Sequence, residues 1–223
     1  MIVNNLYILF YKMEKKMKKI NNNYKYLLWA IPIMFQPFMW GILQQIPAKY
    51  NVYSKLDDMI PFCKYFVIPY ILWFVFYAGS MIYFLLKTKE EFVDTCKQMI
   101  IGLIISWITF IFFQNQITFR PETTLQVNDV FTWIISIIYK SGSTVCACPS
   151  LHCYIAGVLC CSWVRYTKLK KPRITKTLIV ILTVLIWLST VFIKQHSIID
   201  VFGAGVVLFI SYIITYKIIK KTA

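Results

Sequence analysis

Apolar residues in this chain run together in long stretches rather than alternating with polar ones. The stretches cover residues 26–43, 61–86, 99–117, 150–166, 177–193 and 200–219. A helix rises about 1.5 Å per residue and a bilayer's hydrocarbon core is about 30 Å thick, so about 20 mostly apolar residues make one crossing. The pattern therefore predicts an all-α membrane protein with six transmembrane helices. The fourth stretch is the weakest, because it opens with the polar Ser150 and His152. A seventh apolar stretch, 127–139, is too short to span. It predicts an interfacial or re-entrant helix in the long loop between residues 118 and 149.

Charge sets the orientation. Lys12, Lys15, Lys16, Lys18, Lys19 and Lys25, the 87–98 and 165–176 loops, and Lys217, Lys220 and Lys221 fall on one side of the map, about 18 cations in all. The other side holds Lys49, Lys55, Arg120, Lys140 and Lys194. The positive-inside rule makes the first side cytoplasmic, so both termini lie there and the long loop lies outside. Tyr24, Trp29, Trp163 and Tyr166 are expected in an inner aromatic belt, and Trp40, Tyr50, Trp133 and Tyr139 in an outer one. The aromatic-rich second stretch reads mostly as lipid-facing bulk.

Composition agrees. Hydrophobic residues make up 59% and charged residues 15% of the 223, against about 45–50% and about 25% in soluble domains. The net charge of +15 follows the loops and reads as a topology signal and a contact for anionic headgroups, not as a nucleic-acid footprint. The organisation expected is a cytoplasmic basic N-terminal segment, 1–25, and one membrane domain, 26–223. The N-terminus lacks the charge-then-apolar order and small-residue cleavage site of a secretory signal. The short loops suit a cell membrane.

Ionisable groups at the ends of apolar spans are costly and usually functional. Arg120, His152, His196 and Asp200 all fall on the outer side of the map, and the chain has two histidines. His196 and Asp200 are four apart and share a helix face. A carboxylate on one imidazole nitrogen fixes the tautomer and leaves the other as a nucleophile or base. His152 offers a general acid. Ser150, behind Pro149 at a helix start, opens an anion-binding N-terminus, and Arg120 offers a fork suited to phosphate oxygens. Together these point to phosphoryl transfer that needs no metal or other cofactor. Seven cysteines, an odd number, do not make a disulfide framework. Cys146, Cys148, Cys153 and His152 carry zinc-type donors, but His152 and Cys153 are consecutive and diverge on a helix, so packing thiols or a disulfide compete with a metal site. Lys64 has two readings, a cleft-lining cation or a snorkelling one. Asp129 and Glu122 lie where a headgroup pocket would be shaped.

Three blocks carry a resemblance. Arg120-Pro121, Pro149-Ser150-x-His152, and Ser189 with His196 and Asp200 occur in order, and together they resemble the signature blocks of the type 2 phosphatidic acid phosphatase superfamily. The motif-bearing core is 99–219. The resemblance implies a membrane-embedded lipid phosphatase acting on a lipid phosphate at the outer face. In it His196 forms a phosphohistidine, Asp200 orients it, His152 serves as acid then base, and Arg120 and Ser150 hold the phosphate. Two departures stand out: the family's lysine falls on Phe113, and the arginine of its third block falls on Thr190. Lys194 is the candidate replacement cation. The same departures resemble the lipid phosphotransferase branch of inositol phosphorylceramide and sphingomyelin synthases, and they also fit a catalytically impaired relative.

Overall fold

Long helices need uninterrupted apolar runs, and four segments of the computed structural model have them. They are Lys64–Lys87, Lys89–Phe112, Pro172–Phe192 and Ile198–Ile219. The structure describes residues 8, 11–12, 23–121, 125–169 and 171–219. Most lysines of the predicted N-terminal basic segment, Tyr24's side chain, Glu122, Lys170, Lys220 and Lys221 lie outside the described residues.

In chain order the helices are α1 (Ile31–Met34), α2 (Gln36–Leu43), α3 (Lys55–Met59), α4 (Val67–Lys87), α5 (Lys89–Phe112), α6 (Val130–Ser141), α7 (Leu151–Arg165), α8 (Pro172–Phe192) and α9 (Ile198–Ile213). The first apolar stretch is not one rod. A 3₁₀ turn at Asn23–Trp29 is followed by α1 and α2, each with a proline (Pro32, Pro37) in its first turn. Proline is welcome there and disruptive further in, so Pro32 and Pro37, five residues apart, break one helix into short pieces.

The fourth stretch, α7, is the centre of the bundle, packed against α4, α5, α8 and α9. Its residues Cys153 to Leu159 are all buried. A helix shielded from lipid by its neighbours does not need an apolar surface of its own, which explains its low hydropathy. Close approach to α5 depends on Gly102: a Cβ there would lie 2.0 Å from the Tyr154 ring. The Tyr154 hydroxyl donates to the Gln98 carbonyl across the same contact.

The seventh apolar stretch forms α6, begun by Asp129, which accepts from the Thr132 N–H in a capping box. Its outward face shows Val130 and Trp133, while Ile135 and Tyr139 pack inward with Val67, Tyr70 and Ile193. The residues expected in the aromatic belts differ in exposure. Trp133 and Tyr50 are exposed, whereas Trp29, Tyr139 and Tyr166 are buried; the Tyr139 hydroxyl donates to the Ile193 carbonyl at 2.6 Å.

Two very short strands clamp one end of the bundle. β1 (Tyr50–Asn51) pairs in parallel with β2 (Asn115–Gln116), and Gln116 also bridges Val145. These contacts join the chain after α2, the chain after α5 and the loop before α7, so three connections meet above the helix ends that carry the histidines.

Candidate functional site

The α8–α9 corner carries His196. After Phe192 the chain turns through Lys194, whose φ of 54° is left-handed. The Gln195 and His196 N–H groups both donate to the Thr190 carbonyl, at 2.9 and 3.0 Å. Ser197 caps α9 in a capping box closed by Asp200. One Asp200 oxygen, Oδ2, accepts both from the Ser197 N–H and from His196 Nδ1, each at 3.0 Å. Asp200 is fully buried. Holding the proton on Nδ1 leaves the Nε2 lone pair free, the tautomer a nucleophile needs.

A second carboxylate buttresses this corner. Asp57 of α3, 1% exposed, accepts from Ser197 Oγ at 2.7 Å, the Ile198 N–H at 2.9 Å and the Ser54 N–H at 2.8 Å. Sequence reading missed it. The signal available was Ser54-x-x-Asp57, a capping-box pattern, but nothing in it names the distant helix that Asp57 also caps.

His152 is placed by the loop before α7. Asn115 Nδ2 donates to the Cys148 carbonyl and its Oδ1 accepts the Cys148 N–H, both at 2.8 Å. The Cys148–Pro149 peptide is cis. Ser150 caps α7, its Oγ accepting from the Cys153 N–H at 3.4 Å, while its own N–H donates to the Asp200 carbonyl at 3.1 Å. That bond ties the starts of α7 and α9 together. Two residues on, the His152 ring lies 6.1 Å from the His196 ring, centre to centre. Tyr70 stacks on His152 at 5.0 Å and its hydroxyl is 3.2 Å from His152 Nε2. Trp73 lies 4.7 Å from the same ring, and its Nε1 donates to the His152 carbonyl at 3.0 Å.

Both imidazoles line a cavity of about 420 Å³. Its walls come from α2 (Gln36, Trp40), α4 (Tyr70, Trp73, Phe74) and the 138–147 region, with Gln195 beside His196. Tyr70 and Trp73 belong to the second apolar stretch, which reads mostly as lipid-facing bulk. Most of α4 does face outward, but this stripe turns in. Hydropathy finds a span and does not choose its inner face.

The anion-binding candidates divide. Arg120 is buried behind the cavity wall, its Nη1 donating to the Gly142 and Tyr139 carbonyls at 3.0 and 3.3 Å. Gly142 itself lines the cavity. Ser150 is fully buried and engaged in its cap rather than at the wall. Lys194 points elsewhere: its Nζ donates to the Asp57 and Ile60 carbonyls at 2.6 and 2.5 Å. Burial lowers its pKa, against the pull of Asp57 and Asp58. Lys64 bonds Asp129 instead of lining the cavity. That bond, helped by the Thr132 N–H, holds the Asp129 carboxyl down at about 2.

The two departures are equally clear. Phe113 is exposed at the end of α5, and Thr190 is fully buried, donating to the Trp187 carbonyl at 2.8 Å and lying 3.5 Å from Cys153 Sγ. The cysteine cluster disperses: Cys146 Sγ donates to Gln114 Oε1 at 3.3 Å, and Cys148 Sγ to the Ile199 carbonyl at 3.9 Å. Burial pushes the thiol of Cys146 up to about 11 and that of Cys148 up to about 12, with Asp200 adding to the latter. Among the described residues no three His, Cys, Asp or Glu side chains gather closely enough to hold a metal ion.

Comparison with curated proteins and with solved structures finds no match. A family model does match: residues 115–223 fit the model described as PAP2 superfamily. That segment includes Arg120, the Pro149-Ser150-x-His152 block, and Ser189 with His196 and Asp200, brought to one end of a bundle with four helices long and apolar enough to cross a membrane. Residues 115–223 belong to the type 2 phosphatidic acid phosphatase (PAP2) superfamily, in a chain whose four long apolar helices make it a multi-pass membrane protein.

Proposed function

We propose that this protein cleaves a phosphorylated lipid at the outer face of a cell membrane through a phosphohistidine on His196. The observation that carries this is the pair of imidazoles 6.1 Å apart on one cavity, one of them locked to a buried carboxylate at 3.0 Å. In this reading six segments cross the bilayer, α1–α2 and α7 included, and both termini face the cytoplasm. The broken first segment and the short α7 are supported by neighbouring helices rather than by their own length. α6 lies along the outer interface with Trp133 in the headgroup layer.

His196 Nε2 attacks phosphorus. Asp200 stabilises the charge that develops on the ring, and His152 protonates the departing alkoxide. Arg120 stabilises the phosphoryl oxygens from behind the Gly142 wall. His152 then takes a proton from the water that resolves the phosphohistidine. Tyr70 holds the His152 ring by its hydroxyl and its stacked face, and so restricts where that proton can be delivered. The donor set works without a metal ion, so turnover should persist in a chelator.

A second reading uses the same residues with an alcohol in place of water, which makes the protein a lipid phosphotransferase. The loss of cations at Phe113 and Thr190 favours weighing it. Both readings are tested by offering purified protein a panel of lipid phosphates, with and without candidate alcohols, and quantifying free phosphate and transferred product. His196→Ala should abolish both. Wild-type-like turnover by that variant would refute the assignment.

A further inference from the structure

The short helix α3 is packed inside out. Its apolar side chains Leu56 and Met59 are 53% and 77% exposed, while Asp57 is its one buried residue. A carboxylate taken from water persists only where donors replace its hydration. Three do so here. Asp57 Oδ2 accepts from Ser197 Oγ at 2.7 Å and from the Ser54 N–H at 2.8 Å, and Oδ1 accepts from the Ile198 N–H at 2.9 Å. Two of the three donors belong to the start of α9, just after His196.

The chain just before His196 is held from the same side. Lys194 Nζ donates to the Asp57 and Ile60 carbonyls at 2.6 and 2.5 Å, and the Cys63 N–H donates to the Phe192 carbonyl at 3.0 Å. Residues 57–63 therefore grip the corner on both flanks of the nucleophile. Between the grips Lys194 keeps its φ of 54°, a conformation that a residue with a Cβ holds only where its surroundings impose it.

Resting on the phosphohistidine reading above, we infer that Asp57 is a positioning residue for His196, acting through Ser197 on the Asp200–His196 pair, and that Lys194 belongs to the same clasp rather than to the phosphate. The reason lies in how donors are shared at the start of α9. Ser197 bridges two carboxylates, its N–H on Asp200 and its hydroxyl on Asp57. Asp200 Oδ2 also holds His196 Nδ1, and the buried Oδ1 of Asp200 accepts no hydrogen bond among the described residues. A hydroxyl has one proton to donate, and Asp57 takes it. Asp200 thus keeps its negative charge undivided for the imidazole, which becomes positive when Nε2 bonds phosphorus. With an amide at position 57 the Ser197 hydroxyl is free to turn to Asp200, and the grip on Ile198 loosens. Both changes reach the nucleophile and not the lipid, because neither Asp57 nor Ser197 lines the cavity.

The test compares full-length wild-type, Asp57→Asn and Lys194→Met proteins in detergent, given phosphatidic acid and phosphatidylcholine labelled at phosphorus. Three quantities are read: the rate at which label appears on the His196 peptide within one turnover, KM, and the unfolding midpoint, with rates expressed per folded molecule. Expected is labelling about 10–100-fold slower in Asp57→Asn, as a displaced nucleophile requires, with KM changed by less than about twofold. Lys194→Met should slow labelling in the same way, by a smaller factor. Wild-type labelling by Asp57→Asn, with or without a lower midpoint, makes Asp57 a structural contact only and overturns the inference. So does a raised KM with unchanged labelling at saturation. Should Asp57→Asn fail to fold, Lys194→Met decides on the same readings, and failure of both to fold also overturns it. No label on the wild-type protein with either lipid overturns the phosphohistidine reading itself, and this inference with it.

Discussion

Two regions meet at the cavity, and they are built differently. The C-terminal half brings His152, His196, Asp200 and Arg120, and each is fixed by bonds from its own neighbourhood: the Asp200 carboxylate to His196 and Ser197, the Ser150 N–H to Asp200, Arg120 to Gly142. The N-terminal half brings Gln36, Trp40, Tyr70, Trp73 and Phe74, which form walls. The family match, 115–223, covers the first region and leaves out the second. The difference teaches that spaced motifs record the candidate reacting groups, while part of the cavity wall comes from helices with no motif at all.

Breaking the first region should cost the most. Asp200→Asn should lower kcat by about 10⁴-fold with little change in KM, because the amide holds His196 in the wrong tautomer; steady-state kinetics on the preferred lipid would show it. Arg120→Ala should lower kcat by about 10²–10³-fold, the loss expected when one preorganised donor to the developing charge is removed. A change confined to KM would instead assign Arg120 to ground-state binding.

The second region should respond more mildly and differently. Tyr70→Phe removes one hydrogen bond to His152 and should cost about tenfold in kcat, shifting the limb of the pH–rate profile that belongs to His152. An unchanged profile would make Tyr70 a packing residue. Phe74→Ala should change the ranking of headgroups by about tenfold in kcat/KM without altering the rate of the best substrate more than severalfold. Gly102→Ala, away from the cavity, sharpens the contrast: its methyl meets Tyr154 at 2.0 Å, so stability should fall by about 1–3 kcal/mol, read as a lower unfolding midpoint with activity per folded molecule retained. Cys148 gives the smallest effect. With its thiol pushed up to about 12, the thiolate is scarce at neutral pH, and alkylation should be slow and accelerate about tenfold per pH unit below that value.

The same contrast explains what could be read before the structure. α4, α8 and α9 are legible because lipid demands long apolar runs, whereas α5 starts at Lys89, inside the stretch that reads as the 87–98 loop, because its polar first turns carry no hydropathy signal. The histidines, Asp200 and Arg120 were legible because ionisable groups at span ends stand out against that background. The broken first segment was not, since Pro32 and Pro37 change backbone direction without lowering hydropathy. The anchorage of Lys194 on the Asp57 and Ile60 carbonyls was not either, because a contact across 137 positions leaves no periodic trace. Asp57 and Tyr70 were hidden for the same reason: each acts on a residue from a different helix.

The most direct measurement is chemical trapping. Protein mixed with lipid labelled at phosphorus, quenched within one turnover under alkaline conditions that preserve phosphoramidates, should carry label on the peptide containing His196, and the His196→Ala protein should carry none. Label on another residue, or steady turnover with no labelled protein at any quench time, would contradict nucleophilic catalysis by His196.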